Sequence, residues 1–254
     1  MKTGSRNVIY DLTYKTLWLC GKKRKTKNKV HAKAVNSNKI MIEVITIPVG
    51  FLETNCYLLY DSESKEAFCV DPGGDPEKII EAVEDSGLTL KGVLLTHGHG
   101  DHIGGLSKLL AEHDVPLYVH PEDKEMLGCP HQNLSGSIGL SVTAPPTDKF
   151  VEDGRKIPFG NTEISVIHTP GHTRGGVSYF VHPDGENPVL FSGDTLFYLE
   201  VGRIDLPGGS WESMQESIRN KLYVLPDETT VYPGHGPATT ILREKHNNPY
   251  VRID

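Results

Sequence analysis

Apolar and polar residues alternate over residues 40–47 and again over 56–60, and 67–70 is a short apolar run that stops at Asp71-Pro72-Gly73-Gly74. A period of two marks a strand, and Asp-Pro-Gly-Gly is turn chemistry, so this stretch predicts a meander of strands. Asp75 before Pro76 reads as a helix cap, with Ile79, Ile80 and Val83 on the apolar face and Gly87 at the end. Residues 91–95 read as a strand buried on both faces, and they run straight into Thr96-His97-Gly98-His99-Gly100-Asp101-His102. A helix over 103–112 and a strand over 116–119 complete β-α-β units, and the Pro, Gly and Ser content of 128–146 predicts a loop. Strands follow at 162–167, 176–181 and 189–191, then a helix over 211–222 and a short strand at 230–232 that ends in Pro233-Gly234-His235-Gly236. This order, strands then mixed α/β and the same again, sets sheet against sheet with helices outside. The prediction is an α+β fold, a four-layer αββα sandwich.

At 254 residues, 37% hydrophobic and 23% charged, the chain suits one globular domain and excludes collagen-like and wholly disordered readings. Charge separates the two ends. The first forty residues hold eleven Lys or Arg, six of them within 22–29, and one acid, which leaves fifteen bases against thirty-two acids, a charge of −17, for the rest. A block of like charge repels itself and stays solvated, so residues 1–38 are predicted to be a disordered basic extension and 39–254 the functional domain. The acidic body lacks the basic stripe of a nucleic-acid groove. No apolar run approaches the length that spans a bilayer, and no secretory pattern opens the chain. Four scattered cysteines without a C-x-x-C pair signal neither a disulfide framework nor a thiolate metal site. The expected location is the cytoplasm, with neither membrane nor nucleic acid as partner. Since Met41 opens what reads as a natural first strand, deleting residues 1–40 is expected to leave thermal stability and turnover of the body unchanged. A large loss of either in the shortened chain would refute this reading of the extension.

Candidate chemistry gathers where the predicted strands end. His97 and His99 are two apart and Asp101 and His102 follow at once, with Gly98 and Gly100 giving the backbone room to turn so that four donors converge. His172 follows another strand in Thr169-Pro170-Gly171-His172, Asp194 a third in Ser192-Gly193-Asp194, and His235 a fourth in Gly234-His235-Gly236. Loops on a rigid scaffold are where ligands are placed. Imidazole nitrogens and carboxylates without a thiolate suit a borderline divalent cation, Zn²⁺ first, with Fe²⁺ or Mn²⁺ admissible. Five histidines and two aspartates exceed what one ion needs, so the set predicts two divalent ions.

In this order, Asp71, the cluster from His97 to His102, His172, Asp194 and His235 resemble the metallo-β-lactamase superfamily over residues 41–254. The resemblance implies His97, His99 and His172 on one metal, Asp101, His102 and His235 on the other, and Asp194 bridging. It also implies that Asp71 supports these ligands from behind, whereas the local sequence reads equally well as a turn-forming Asp before Pro-Gly. Gly193-Asp194-Thr195-Leu196-Phe197, Gly202-Arg203-Ile204-Asp205, Leu206-Pro207-Gly208-Gly209-Ser210 and Tyr232-Pro233-Gly234-His235-Gly236-Pro237 look like the glyoxalase II group in its compact form, without the C-terminal helical domain of larger members. That likeness implies a thioester hydrolase of the hydroxyacylglutathione (S-lactoylglutathione) type, with a small-molecule thioester as partner and attack by a hydroxide bridging two cations. Asp101 and Asp194 then carry the catalysis, Asp101 as ligand and proton acceptor and Asp194 as bridge. Arg203 stands where the group contacts its thiol carrier and is a candidate clamp for a substrate carboxylate.

Other chemistries of the superfamily stay open. A mononuclear-iron persulfide dioxygenase is disfavoured by the Pro-Gly-His-Gly form of the last loop. A nuclease is disfavoured by the acidic body and the short separation of Asp194 from His235, and a secreted β-lactamase by Asp194 where a cysteine ligand is common. A lactonase is a further alternative.

Overall fold

In the computed structural model, which describes residues 42–253, the alternating stretches pair as the sequence predicts. β1 (Ile42–Val49), β2 (Thr54–Asp61) and β3 (Glu66–Val70) form the antiparallel meander, and after α1 (Pro76–Asp85) the strand β4 (Thr89–Leu94) joins β3 in parallel. α2 (Gly100–Ile103) and α3 (Leu106–Glu112) lead to β5 (Leu117–Val119), and β6 (Lys149–Phe150) completes a sheet in the order β1-β2-β3-β4-β5-β6. β7 (Lys156–Phe159), β8 (Thr162–His168), β9 (Val177–Val181) and β10 (Val189–Gly193) begin the second sheet. A small hairpin of β11 (Leu196–Phe197) and β12 (Glu200–Val201) and the helix α4 (Trp211–Glu216) follow. The sheet is completed by β13 (Thr230–Pro233), parallel to β10, and by β14 (Thr239–Thr240), before the helix α5 (Ile241–Asn247). Expectations for residues 1–38, and for the first strand at 40–41, lie outside the described residues.

Successive side chains on a strand point to opposite faces, and here both faces are covered. Cys56 and Leu58 of β2 and Ala67 and Cys69 of β3 pack with Ile79 and Val83 of α1 and Leu106 and Leu109 of α3. The alternate residues, Tyr57, Leu59, Phe68 and Val70, join Ile164, Val166, Tyr179 and Phe191 of the second sheet in the central layer. On the far side Leu190 and Val231 pack with Met214 of α4 and Ile241 of α5. Helix, sheet, sheet, helix is the predicted αββα sandwich. Among the described residues no helix is long and apolar enough to cross a membrane. Cys56 and Cys69 are fully buried free thiols within the apolar core.

Local departures from the predicted elements have physical causes. The helix predicted over 103–112 is two helices, because Gly104 and Gly105 lie against the turn after β3. A Cβ on Gly104 would stand 2.4 Å from the Gly73 carbonyl oxygen, and Gly105 N–H donates to Pro72 O at 2.7 Å. The break leaves Asp101 and His102 on a helical turn of their own. Asp75 does precede α1, but its side chain does not cap the helix; it accepts from Gly50 N–H and binds Lys78. The loop predicted over 128–146 contains a 3₁₀ turn, Ser135–Ile138, held by Asn133 Oδ1 accepting from the Ser135 amide and hydroxyl. Two-residue strands such as β6 and β14 are too short for a periodic pattern to register.

Candidate metal centre

Each predicted donor stands just beyond a strand. β4 leads to His97 and His99, and α2 carries Asp101 and His102; from the second sheet β8 leads to His172, β10 to Asp194 and β13 to His235. These side chains, distant in sequence, assemble into two groups. His97, His99 and His172 bring ligand atoms within 4.8 Å of one another, and so do Asp101, His102 and His235. Asp194 lies between the groups. Its Oδ2 is 3.4 Å from His172 Nε2 and 3.7 Å from His235 Nε2, while Oδ1 is 3.5 Å from His102 Nε2. Asp101 Oδ2 is 3.2 Å from His235 Nε2 and 3.6 Å from His102 Nε2.

Two glycines permit this convergence. Gly193 has φ 50°, a left-handed backbone, and a Cβ there would stand 2.4 Å from Thr96 Oγ1. A Cβ on Gly234 would stand 2.1 Å from Asp194 Oδ1. The turns after β10 and β13 close over the site because neither residue carries a side chain.

The histidines are oriented from behind. His102 Nδ1 lies 2.9 Å from Asp71 Oδ2, His172 Nδ1 donates to Arg203 O at 2.8 Å, and His235 Nδ1 donates to Leu52 O at 3.2 Å. Asp71 also accepts from the Thr96 amide at 2.8 Å and the Thr96 hydroxyl at 2.6 Å. A hydroxyl that has donated its one proton to Asp71 can only accept from His97 Nδ1, 3.1 Å away. In each case Nδ1 carries a proton and Nε2 faces the site. Asp71, 2% exposed and left-handed at φ 49°, thus stands in the turn with its carboxylate against Thr96 and His102.

The inward atoms lack protein partners. His97 Nε2, His99 Nε2, His102 Nε2 and Asp194 Oδ1 are buried without a hydrogen bond among the described residues, an arrangement that costs about 1–3 kcal/mol per atom unless something binds there. Nitrogen and oxygen lone pairs turned together, flanked by carboxylates, are what a divalent cation completes, and the donors fit two such ions. Without a cation the electrostatics divide the donors. Burial and the neighbouring His172 push His99 down to about 3, and burial holds His97 well below the usual histidine range. Burial also opposes charge on His102, yet Asp101, Asp194 and Asp71 around it push it up to about 10. Burial raises Asp101, but His102 and His235 outweigh it and hold that carboxyl far below the usual range.

Arg203 sits beside the centre through its backbone, whose carbonyl holds His172; its guanidinium forms a two-pronged ion pair with Asp205, both bonds 2.9 Å. A further group, His120, Glu122 and His168, also brings donors within 4.8 Å, but its two imidazoles stack at 4.3 Å and 6°, so their in-plane lone pairs do not converge. His120 is buried in this stack. Tyr179 is core, its hydroxyl donating to Leu95 O at 2.8 Å. Several supporting residues escape sequence reasoning. Asn55 Nδ2 donates to Pro233 O and Gly236 O, Tyr57 OH donates to Pro233 O, and Thr54 Oγ1 donates to Asp101 Oδ2. They are ordinary strand residues by pattern, and their partners lie nearly fifty residues or more away along the chain.

The sequence profile of the metallo-beta-lactamase superfamily matches residues 49–235. The chain is 39% identical over 206 residues to the probable metallo-hydrolase YqgX of Bacillus subtilis (strain 168), covering 81% of this chain and 95% of that protein. It is 36% identical over 207 residues to the hydroxyacylglutathione hydrolase GloC of Haemophilus influenzae, covering 81% and 96%. Among solved structures, the B3 metallo-beta-lactamase BLEG-1 superimposes with a TM-score of 0.78 at 40% identity, covering 82% of this chain and 99% of that one. TTHA1623, in a di-iron-bound form, superimposes with a TM-score of 0.71 at 35% identity, covering 82% and 100%.

Proposed function

The chain belongs to the metallo-beta-lactamase superfamily, and from that premise we propose that it is a dinuclear thioester hydrolase of the hydroxyacylglutathione type. His97, His99 and His172 would hold one cation and Asp101, His102 and His235 the other, with Asp194 placed to serve both. The observation that carries this reading is the division of Asp194, one oxygen toward His102 and the other toward His172 and His235, with buried nitrogens lacking partners on both sides. Zinc suits an imidazole and carboxylate set, and the di-iron form of TTHA1623 makes iron the natural rival. When bound, the cation pair supplies Lewis acidity toward a carbonyl oxygen and a water ionised near neutral pH.

The protein's own groups do the rest. Hydrolysis breaks the C–S bond, forms a C–O bond and releases a carboxylic acid and a thiol. Asp101, kept deprotonated by His102 and His235, accepts a proton at Oδ2. Thr54 orients that same oxygen from 3.2 Å. A thiolate leaves without needing a proton, unlike an amine, which suits a centre whose carboxylates and imidazoles would serve as ligands. The carrier end of the substrate has room in a cavity of about 430 Å³ beside the His172 loop, lined by Pro170, Gly171, Arg174 and Gly208. Arg174 has no ion-pair partner among the described residues, whereas Arg203 must exchange Asp205 before it can clamp a carboxylate. The likeness to GloC supports this substrate class, and the likeness to BLEG-1 favours one rival, a β-lactam.

The test is metal analysis of the purified chain together with turnover of S-lactoylglutathione, a simple thioester, a β-lactam and glutathione persulfide. Two zinc equivalents, thioester turnover lost to a chelator and regained on zinc addition are expected. One iron with oxygen uptake on the persulfide would instead establish the dioxygenase, and a β-lactam preferred over every thioester would overturn the substrate class.

A further inference from the structure

Asp123 takes no part in the chemistry above, yet its carboxylate is 1% exposed and serves two loops of the centre at once. It lies on the 3₁₀ segment Pro121–Gly128. Oδ2 accepts from the Gly98 amide at 3.1 Å and from the Thr173 hydroxyl at 2.8 Å, and Oδ1 accepts from the Gly175 amide at 2.8 Å. Gly98 stands between His97 and His99, and Thr173 follows His172. One side chain therefore ties a loop from the first sheet to a loop from the second.

The fit is close on both sides. A Cβ on Gly175 would stand 2.6 Å from Asp123 Oδ1, and one on Gly98 would stand 2.8 Å from Met126 Cβ in the same segment. His99 depends on this tie more than the other histidines do. They have a carbonyl, a carboxylate or a hydroxyl behind them, whereas the contact recorded for the His99 ring nitrogens is with His172, Nδ1 to Nε2 at 2.9 Å. Its position is set by its backbone, held by Asp123 through Gly98 on one side and by Asn133 O, which accepts from Gly100 N–H at 2.8 Å, on the other.

We propose that Asp123 is a positioning residue that sets the separation of His97, His99 and His172 and so governs the affinity of that group for a divalent cation. The inference rests on the dinuclear reading and goes beyond it by separating the two ions: the hydrogen bonds of Asp123 go to residues next to His97, His99 and His172 or close by, and none goes to Asp101, His102 or His235.

The experiment is Zn²⁺ uptake by the full chain in competition with a calibrated chelator, comparing wild type, Asp123→Asn, Thr173→Val and Thr173→Ser. Asparagine keeps the shape but sets an N–H₂ against a donor that the carboxylate had accepted. One of two zinc equivalents is expected to weaken by about 10–100-fold in Asp123→Asn, the other by less than about threefold. Thr173→Val should weaken the same equivalent, and Thr173→Ser, which keeps the hydroxyl, should restore it. A merely structural role would lower the melting temperature and leave both affinities of the folded protein alone; that result overturns the proposal. Should Asp123→Asn fail to fold, the Thr173 pair decides, and equal affinities for valine and serine overturn it. A wild-type chain that takes up no zinc would overturn the dinuclear reading itself, whereas normal wild-type uptake with indifferent variants overturns this inference alone.

Discussion

Replacing Asp194 with alanine is expected to leave the purified chain with one zinc equivalent or none and to lower thioester turnover by about three orders of magnitude or more. A cation that polarises a carbonyl and activates water is worth several kcal/mol, and each 1.4 kcal/mol or so is a factor of ten in rate. Asp194 reaches both donor groups, so on the dinuclear reading its loss removes a shared ligand, and it takes from His102 one of the charges that oppose it. The residues that press on it, Gly234 against its carboxylate and Gly202 against its backbone carbonyl, have no side chain to offer in its place. Asp194→Asn should fall between, since it keeps the shape and loses the charge. Two full zinc equivalents in an inactive Asp194→Ala protein would contradict the shared-ligand role.

The second large effect is on stability. Asp71→Ala should destabilise the metal-free chain by about 3–5 kcal/mol, the cost of breaking a buried pair from one side. It strands His102 Nδ1, the Thr96 amide and the Thr96 hydroxyl, all buried. The pH dependence has a definite sign. His102 is raised from 6.5 to about 10 by its carboxylates despite burial, so its charged form contributes stability that is fully present below about pH 6.5 and lost as pH climbs toward 10. The deficit of Asp71→Ala should accordingly shrink as pH rises across that window. Denaturant unfolding of the metal-free protein at several pH values measures this. A loss under about 1 kcal/mol at neutral pH would mean that water or a neighbour replaces the carboxylate.

The layered architecture was largely legible in the sequence because a half-covered strand such as β1 keeps a period of two, while a strand covered on both faces such as β3 reads as a short apolar run that stops at turn residues. Helix boundaries were less so. The break at Gly104 and Gly105 depends on Gly73 and Pro72, and no local pattern reports an incoming carbonyl. The donors were legible for the opposite reason, since each sits in a short Gly-flanked turn directly after an apolar run. Thr96, Asn55 and Asp123 were not, because a threonine before a motif, an asparagine on a strand and an aspartate in a polar segment look alike whether they face solvent or the centre.

By itself, then, the sequence determined which side chains could meet and at which strand ends, for the physical reason that strand period and turn chemistry act over a few neighbouring residues. Only the tertiary structure decided which ring nitrogens face inward, since the acceptors that orient them, Leu52 O, Asp71, Thr96 and Arg203 O, reach His235, His102, His97 and His172 through packing. It also decided that Arg203 is already paired and that one buried carboxylate, Asp123, bridges loops of both sheets. Hydrogen bonds between groups far apart in the chain leave no periodic trace, because their geometry exists only once the two sheets have packed.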